Sequence, residues 1–148
     1  GAGVSALYAN SNVSNDQRAP AEKIVTAVGK TVWIEEESLM DAVTAVSGSG
    51  PAYFFYVMQA IHDAAVREGL DTETARVLSL ETALGAARLA LASTEDPGKL
   101  QAQVTSPGGT TEAAIKILDD SGVRDTLQQA VSAARARGGE LAKLLDRD

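Results

Sequence analysis

The chain has no cysteine, one histidine and only 4% aromatic residues. Without cysteine it can form no disulfide and offer no thiolate nucleophile, a composition compatible with a reducing compartment. The single histidine, His62, has only its neighbour Asp63 as a partner in sequence, so neither a metal centre nor a histidine-based catalytic group is spelled out. Ser47, Ser49 and Ser106 have no general base nearby in sequence, which leaves nucleophilic serine chemistry without support. A basic face is also missing. The formal charge is -7 and the pI about 4.7, which argues against nucleic acid as a partner. No apolar run approaches the roughly 20 residues that span a bilayer, and the N-terminal stretch does not read as a signal peptide. No membrane partner and a cytoplasmic location are therefore expected. There is no repeat or low-complexity tract.

The 148 residues are 45% hydrophobic, and most of that is aliphatic or alanine. Such a chain can fill one core by helix packing but scarcely two. The first 35 residues read as strand, helix, strand. Val4 to Tyr8 is β-compatible, a helical stretch runs from about Ser14 to Val28, and Thr31 to Ile34 is strand-like. Ser14 and Gln17 have capping-box spacing, but Pro20 would then sit inside the helix, so a start near Ala19 remains open. Two short strands make no stable sheet alone and suggest the edge of a larger one.

From Ser38 onward the pattern is helical with clear punctuation. Ser38 can cap a short helix through about Val46, and Pro51 opens a longer one that Gly69 ends. Asp71 with Thr74 starts a helix of about 20 residues, and Asp96-Pro97-Gly98 introduces a short helix over Lys99 to Gln103. A helix follows over Thr111 to Asp119, stopped by Ser121-Gly122, and the last runs from about Val123 towards Leu145. Gly138 and Gly139 should weaken that last helix by roughly 1 kcal/mol each relative to alanine. Tyr53, Phe54, Phe55, Tyr56, Val57 and Ile61 cannot all face one small core, and Val77 to Leu91 again exceeds one stripe. Burial by a second copy of the chain is the economical explanation. The Ala-Arg-rich stretch Ala133 to Arg137 reads as a solvated face.

Val104 to Leu118, V-T-S-P-G-G-T-T-E-A-A-I-K-I-L, is the most informative segment. It sets two glycines and three hydroxyl side chains at the start of an amphipathic helix, with Thr110 or Thr111 able to cap it. The free N–H groups and positive dipole end of a first helical turn suit a carboxylate or phosphate. A loop that merely turns a corner is the plainer alternative. Gly48-Ser49-Gly50 lacks the third glycine and preceding strand of a dinucleotide fingerprint, and is rejected as a nucleotide loop.

Three segments carry a resemblance: A-V-T-A-V-S-G-S-G-P-A-Y-F at Ala42 to Phe54, L-G-A-A-R-L at Leu84 to Leu89, and V-T-S-P-G-G-T-T-E-A at Val104 to Ala113. The chain resembles the C-terminal portion of pyrroline-5-carboxylate reductase over nearly its whole length. The resemblance implies a mainly α fold, a helical bundle that dimerises by interlocking, preceded by a short strand-helix-strand remnant of a Rossmann-type domain. Residues 1–35 would be that remnant, and 36–148 the helical dimerisation and substrate-binding domain. It also implies NADPH- or NADH-dependent reduction of 1-pyrroline-5-carboxylate to L-proline, by a homodimer or an oligomer of dimers.

By resemblance, the substrate carboxylate docks at Ser106, Gly108, Gly109 and Thr110, with Val104 and Glu37 also lining the substrate. Thr111 stands where a hydroxyl contacts the ring nitrogen and is the expected catalytic residue. Gln103 and the Gly48-Ser49-Gly50 turn would flank the cofactor, and no metal is expected. Gln59, Glu81 and Gln103 depart from the glutamate, glutamine and asparagine common in many relatives. The chain has no G-x-G-x-x-G, so it is expected to be inactive by itself. A bare oligomerisation module and an anion- or phosphate-binding domain using the P-G-G-T-T loop are the alternatives, the latter lacking the G-K-[ST] ending of a P-loop.

Overall fold

The computed structural model describes residues 3–145. Strand β1 (Gly3–Leu7) and strand β2 (Gly29–Trp33) form a two-stranded parallel sheet, with Gly3 opposite Gly29 and Leu7 opposite Trp33. Parallel neighbours need a crossover, which helix α1 (Asn15–Thr26) supplies. The helix start left open by the sequence lies at Asn15, where the Ser14 N–H donates to Gln17 Oε1 at 2.8 Å. Pro20 sits inside α1 and is tolerated there. Arg18 lies over the Trp33 ring, 5.3 Å from its centroid, and ties α1 to β2.

The remainder is helical, as the fold class required. A 3₁₀ turn (Glu37–Leu39) leads into α2 (Met40–Val43), a π turn (Thr44–Gly48) and α3 (Gly50–Arg67). Ser38 does not cap this run as the sequence suggested. It lies inside the 3₁₀ turn and donates to Glu36 Oε2 at 3.2 Å. The expected break at Gly48 to Gly50 is likewise a continuation of helix. The Ser49 N–H reaches five residues back to the Thr44 carbonyl at 2.9 Å, the widened spacing of a π turn. Pro51 accounts for the widening, because its ring crowds the carbonyl four residues before it and it has no N–H to offer.

Helix α3 ends in a Schellman motif. Gly69 takes φ of +100°, its N–H donates to Val66 O, and the Leu70 N–H donates to Ala65 O. Helix α4 (Thr72–Ala92) starts at Asp71, whose carboxylate accepts from the N–H groups of Glu73 and Thr74 at 3.1 and 3.0 Å. Hydrogen bonding with the Thr74 side chain, then with its N–H, holds the Asp71 carboxyl below the usual carboxylate range. Helix α5 (Pro97–Gln103) begins two residues earlier than the sequence suggested, with Pro97 in its first turn and Asp96 accepting from Lys99 N–H at 3.0 Å. Helices α6 (Thr110–Asp120) and α7 (Val123–Leu145) meet at Gly122, where φ is +67°.

The described chain divides into two compact units. One gathers residues up to Pro51 with those from Gln128 onward, and the other is Ala52–Leu127. In the first, α7 passes Asp41 at Gly138 and Gly139, where added Cβ atoms would come within 3.1 and 3.2 Å of the Asp41 carboxylate. The two glycines that weaken the helix thus make room for a neighbour.

Among the described residues, no large side chain is fully buried; the buried apolar residues are Ala45 and Ala75. Phe54, Phe55, Tyr56 and Leu91 are 68%, 67%, 78% and 87% exposed, so these side chains on the faces of α3 and α4 that exceeded one stripe in the sequence are left largely uncovered by the described residues. No helix of the described residues is long and apolar enough to cross a membrane.

Candidate functional site

The loop between α5 and α6 owes its shape to short-range constraints. Thr105 closes α5, its hydroxyl donating to Gln101 O at 2.7 Å and its N–H to Ala102 O at 3.2 Å. Gly108 takes φ of +71°, a region that disfavours side chains. Gly109 donates to Ser106 O at 3.0 Å, and a Cβ there would lie 2.6 Å from Ser106 Oγ and 3.0 Å from its carbonyl oxygen. Both glycines are therefore required for the turn, one by conformation and the other by space. Arg124, at the start of α7, donates to Gln101 Oε1 at 3.0 Å and to Asp119 Oδ1 at 3.2 Å, bracing α5 against the end of α6.

The N-cap of α6 is Gly109, and neither Thr110 nor Thr111 supplies the side-chain cap that the sequence suggested. The Gly108 N–H donates to Glu112 Oε2 at 2.8 Å, and the Gly109 N–H serves the turn. The N–H groups of Thr110, Thr111 and Glu112 have no acceptor among the described residues, as expected of a first helical turn. The loop thus offers three unengaged amides at the positive end of an 11-residue helix, beside the half-buried Thr111. Val104 is 61% exposed, and Gln103, Ser106, Gly108 and Thr110 are exposed as well. All these residues belong to the Ala52–Leu127 unit.

Glu37, Gly48, Ser49 and Gly50 belong to the other unit. Glu37 is exposed in the 3₁₀ turn. Gly48 is exposed, Ser49 half-buried and Gly50 buried in the helical run, so only Gly48 and Ser49 present surface that could flank a cofactor. Glu112 was not singled out from the sequence. Its place as the third residue of α6 is a capping-box position, and that spacing was the available signal.

His62 lies elsewhere, lining a hollow of about 300 Å³ with Phe55, Met58, Gln59, Arg76 and Ser79. Its Nδ1 is 3.1 Å from Asp63 Oδ1, which also accepts from Gln59 Nε2 at 2.8 Å. The hydrogen bond with His62, then that with Gln59, lowers the Asp63 carboxyl below its usual range. No group of three or more potential metal ligands occurs among the described residues.

A predominantly helical chain with large unpaired apolar faces is the build of a domain completed by another copy. The profile of a family described as pyrroline-5-carboxylate reductase dimerisation matches residues 37–141. The chain belongs to that family. It is 52% identical over 143 residues to a pyrroline-5-carboxylate reductase of Pseudomonas aeruginosa, covering 97% of this chain and 52% of the relative. It is 46% identical to the Synechocystis enzyme of that name, covering 97% and 53% respectively. A solved pyrroline-5-carboxylate reductase from Coxiella burnetii superposes with a TM-score of 0.90 at 46% identity, covering 95% of this chain and 52% of that one. A Plasmodium falciparum pyrroline carboxylate reductase with NADP bound gives a TM-score of 0.79 at 30% identity, covering 90% and 54%. The chain spans about half the length of the relatives it matches.

Proposed function

We propose that this chain is the dimerisation and substrate-binding part of a pyrroline-5-carboxylate reductase, which makes L-proline by reducing 1-pyrroline-5-carboxylate with NADPH or NADH. The observation that carries this reading is the set of unengaged amides at Thr110, Thr111 and Glu112 beside the Thr111 hydroxyl, in a chain of this family. In this reading residues 1–35 are the edge of the nucleotide-binding domain, and 36–148 form an interlocked homodimer that can assemble further. A cytoplasmic location suits such an enzyme.

When bound, NADPH or NADH would supply the hydride for the imine carbon, and the imine nitrogen would take up a proton. This chain's residues orient the ring and manage that proton. The Gly108 amide and the first-turn amides of α6 hold the substrate carboxylate by charge-assisted hydrogen bonds, with Gly109 shaping the turn. Val104 lines the substrate. Thr111 contacts the ring nitrogen, and because an alcohol is a weak acid it polarises the imine or relays a solvent proton. In their own unit Gly48 and Ser49 present surface that can meet the cofactor, and Gln103 does so in the other. They contain no dinucleotide fingerprint, so they can support the cofactor only at its periphery.

The test is a ligand comparison on the 148-residue chain. Proline should raise its melting temperature and shift the amide resonances of Gly108 to Thr111, whereas phosphate should do little. A response to phosphate alone would favour a general anion-binding domain. The chain alone should not oxidise NAD(P)H in the presence of pyrroline-5-carboxylate.

A further inference from the structure

Glu112 contributes a carboxylate, the same chemical group as the proposed ligand, to the loop at which that ligand docks. From the third helical position a glutamate ordinarily reaches back to the N-cap amide. Here the N-cap amide of Gly109 is engaged by Ser106 O, and Glu112 Oε2 instead accepts from Gly108 one residue further back, at 2.8 Å. Glu112 is exposed, and this is its one hydrogen bond through the side chain among the described residues. A single solvent-exposed bond of this kind is exchanged at little cost.

We propose that Glu112 is a built-in, displaceable occupant of the carboxylate seat at Gly108, and so a specificity-determining residue of the site. The inference rests on the reading of the loop as a carboxylate site. One N–H cannot serve two carboxylates side by side, and their like charges repel at such separations. A ligand that uses the Gly108 amide must therefore evict Glu112. A ligand with its own anionic group replaces that charge-assisted bond in kind, whereas a neutral cyclic imine offers the amide only a weaker acceptor. The apparent affinity for the acidic ligand is lowered by the fraction of time that Glu112 holds the seat.

The experiment is an amide-resonance titration of the full chain and its Glu112→Ala and Glu112→Gln variants, with L-proline and separately with acetate as a bare carboxylate. Glu112→Ala should bind proline about fivefold more tightly, read at the Gly108 amide, with Glu112→Gln in between. Glu112→Gln preserves size and an acceptor oxygen, so it keeps the comparison valid should the alanine variant fold poorly. Unchanged or weaker proline binding in both variants overturns the inference while leaving the proline site standing. If proline binds none of the proteins but acetate moves the Gly108 amide at lower concentration in the variants, the occupant role stands and the proline reading falls. No response to either carboxylate in any protein overturns both.

Discussion

The α5–α6 loop and the α3 and α4 helices solve opposite problems. The loop is complete by itself: Gly108 and Gly109 are each required by local geometry, Thr105 closes the preceding helix, and Glu112 returns to Gly108. The helices are incomplete, leaving Phe54, Phe55 and Tyr56 about two-thirds or more exposed. A loop of the kind proposed to seat a small molecule can thus be built from contacts within a dozen residues, whereas the exposed faces of α3 and α4 are covered only in the proposed homodimer.

The comparison breaks most decisively at the helices. Replacing Phe55 and Tyr56 together with glutamate should raise the dissociation constant of the proposed homodimer by about two orders of magnitude or more, since each replacement takes an aromatic from the proposed interface and brings a charge to it. Light scattering across a concentration series checks it, and an unchanged dimer would mean that the partner covers another face. The next effect belongs to the loop. Gly109→Ala drives a methyl group into Ser106 Oγ and its carbonyl, and should weaken proline binding by about tenfold or more with the dimer intact. Calorimetric titration beside light scattering separates the two properties.

A smaller effect tests the start of α4. Asp71→Ala removes the acceptor for Glu73 and Thr74 and should lower the melting temperature by a few degrees at neutral pH. Because the folded-state pKa of Asp71 is depressed, its contribution is present above the unfolded carboxylate pKa and is lost as pH falls through the folded value. The difference between wild type and variant should therefore shrink in acid and vanish below the usual carboxylate range. Persistence of the full difference there would disconnect the effect from ionised Asp71.

The smallest effect concerns α7. Alanine at Gly138 should gain roughly 0.5–1 kcal/mol in an unobstructed helix, but the added Cβ meets Asp41 Oδ1 at 3.1 Å. Most of that gain should be absent in Gly138→Ala alone and return when Asp41→Ala is combined with it. Denaturant unfolding of the single and double variants measures this coupling.

Elements governed by neighbours in the chain were legible in the sequence. Gly69, Asp71, Asp96-Pro97 and Gly122 mark helix ends because caps are made by residues a few positions apart. The Val104 to Leu118 segment announced a loop before a helix for the same reason. Features that depend on competition or distance were not. Whether Glu112 would reach Gly109 or Gly108 depended on Ser106 taking the nearer amide first. Gly138 and Gly139 read as weak points because nothing nearby in sequence announces Asp41. The helix through Gly48 to Gly50 was mistaken for a turn because glycine and serine usually punctuate, and a proline that widens the helix instead leaves the same letters.

That widened stretch has a consequence for how the chain tolerates change in length. A π turn holds one residue more than its α-helical equivalent, and each helical residue advances the rotation by about 100°. Deleting a single residue between Thr44 and Gly48 would return the segment to α spacing with the residues on either side nearly in phase, but would bring the Pro51 ring back against the carbonyl four residues before it. The extra residue thus accommodates the proline more than it sets the phase of the flanking turns, and a shortening there should cost what a proline in a helix interior costs while leaving Asp41 beside Gly138 and Gly139.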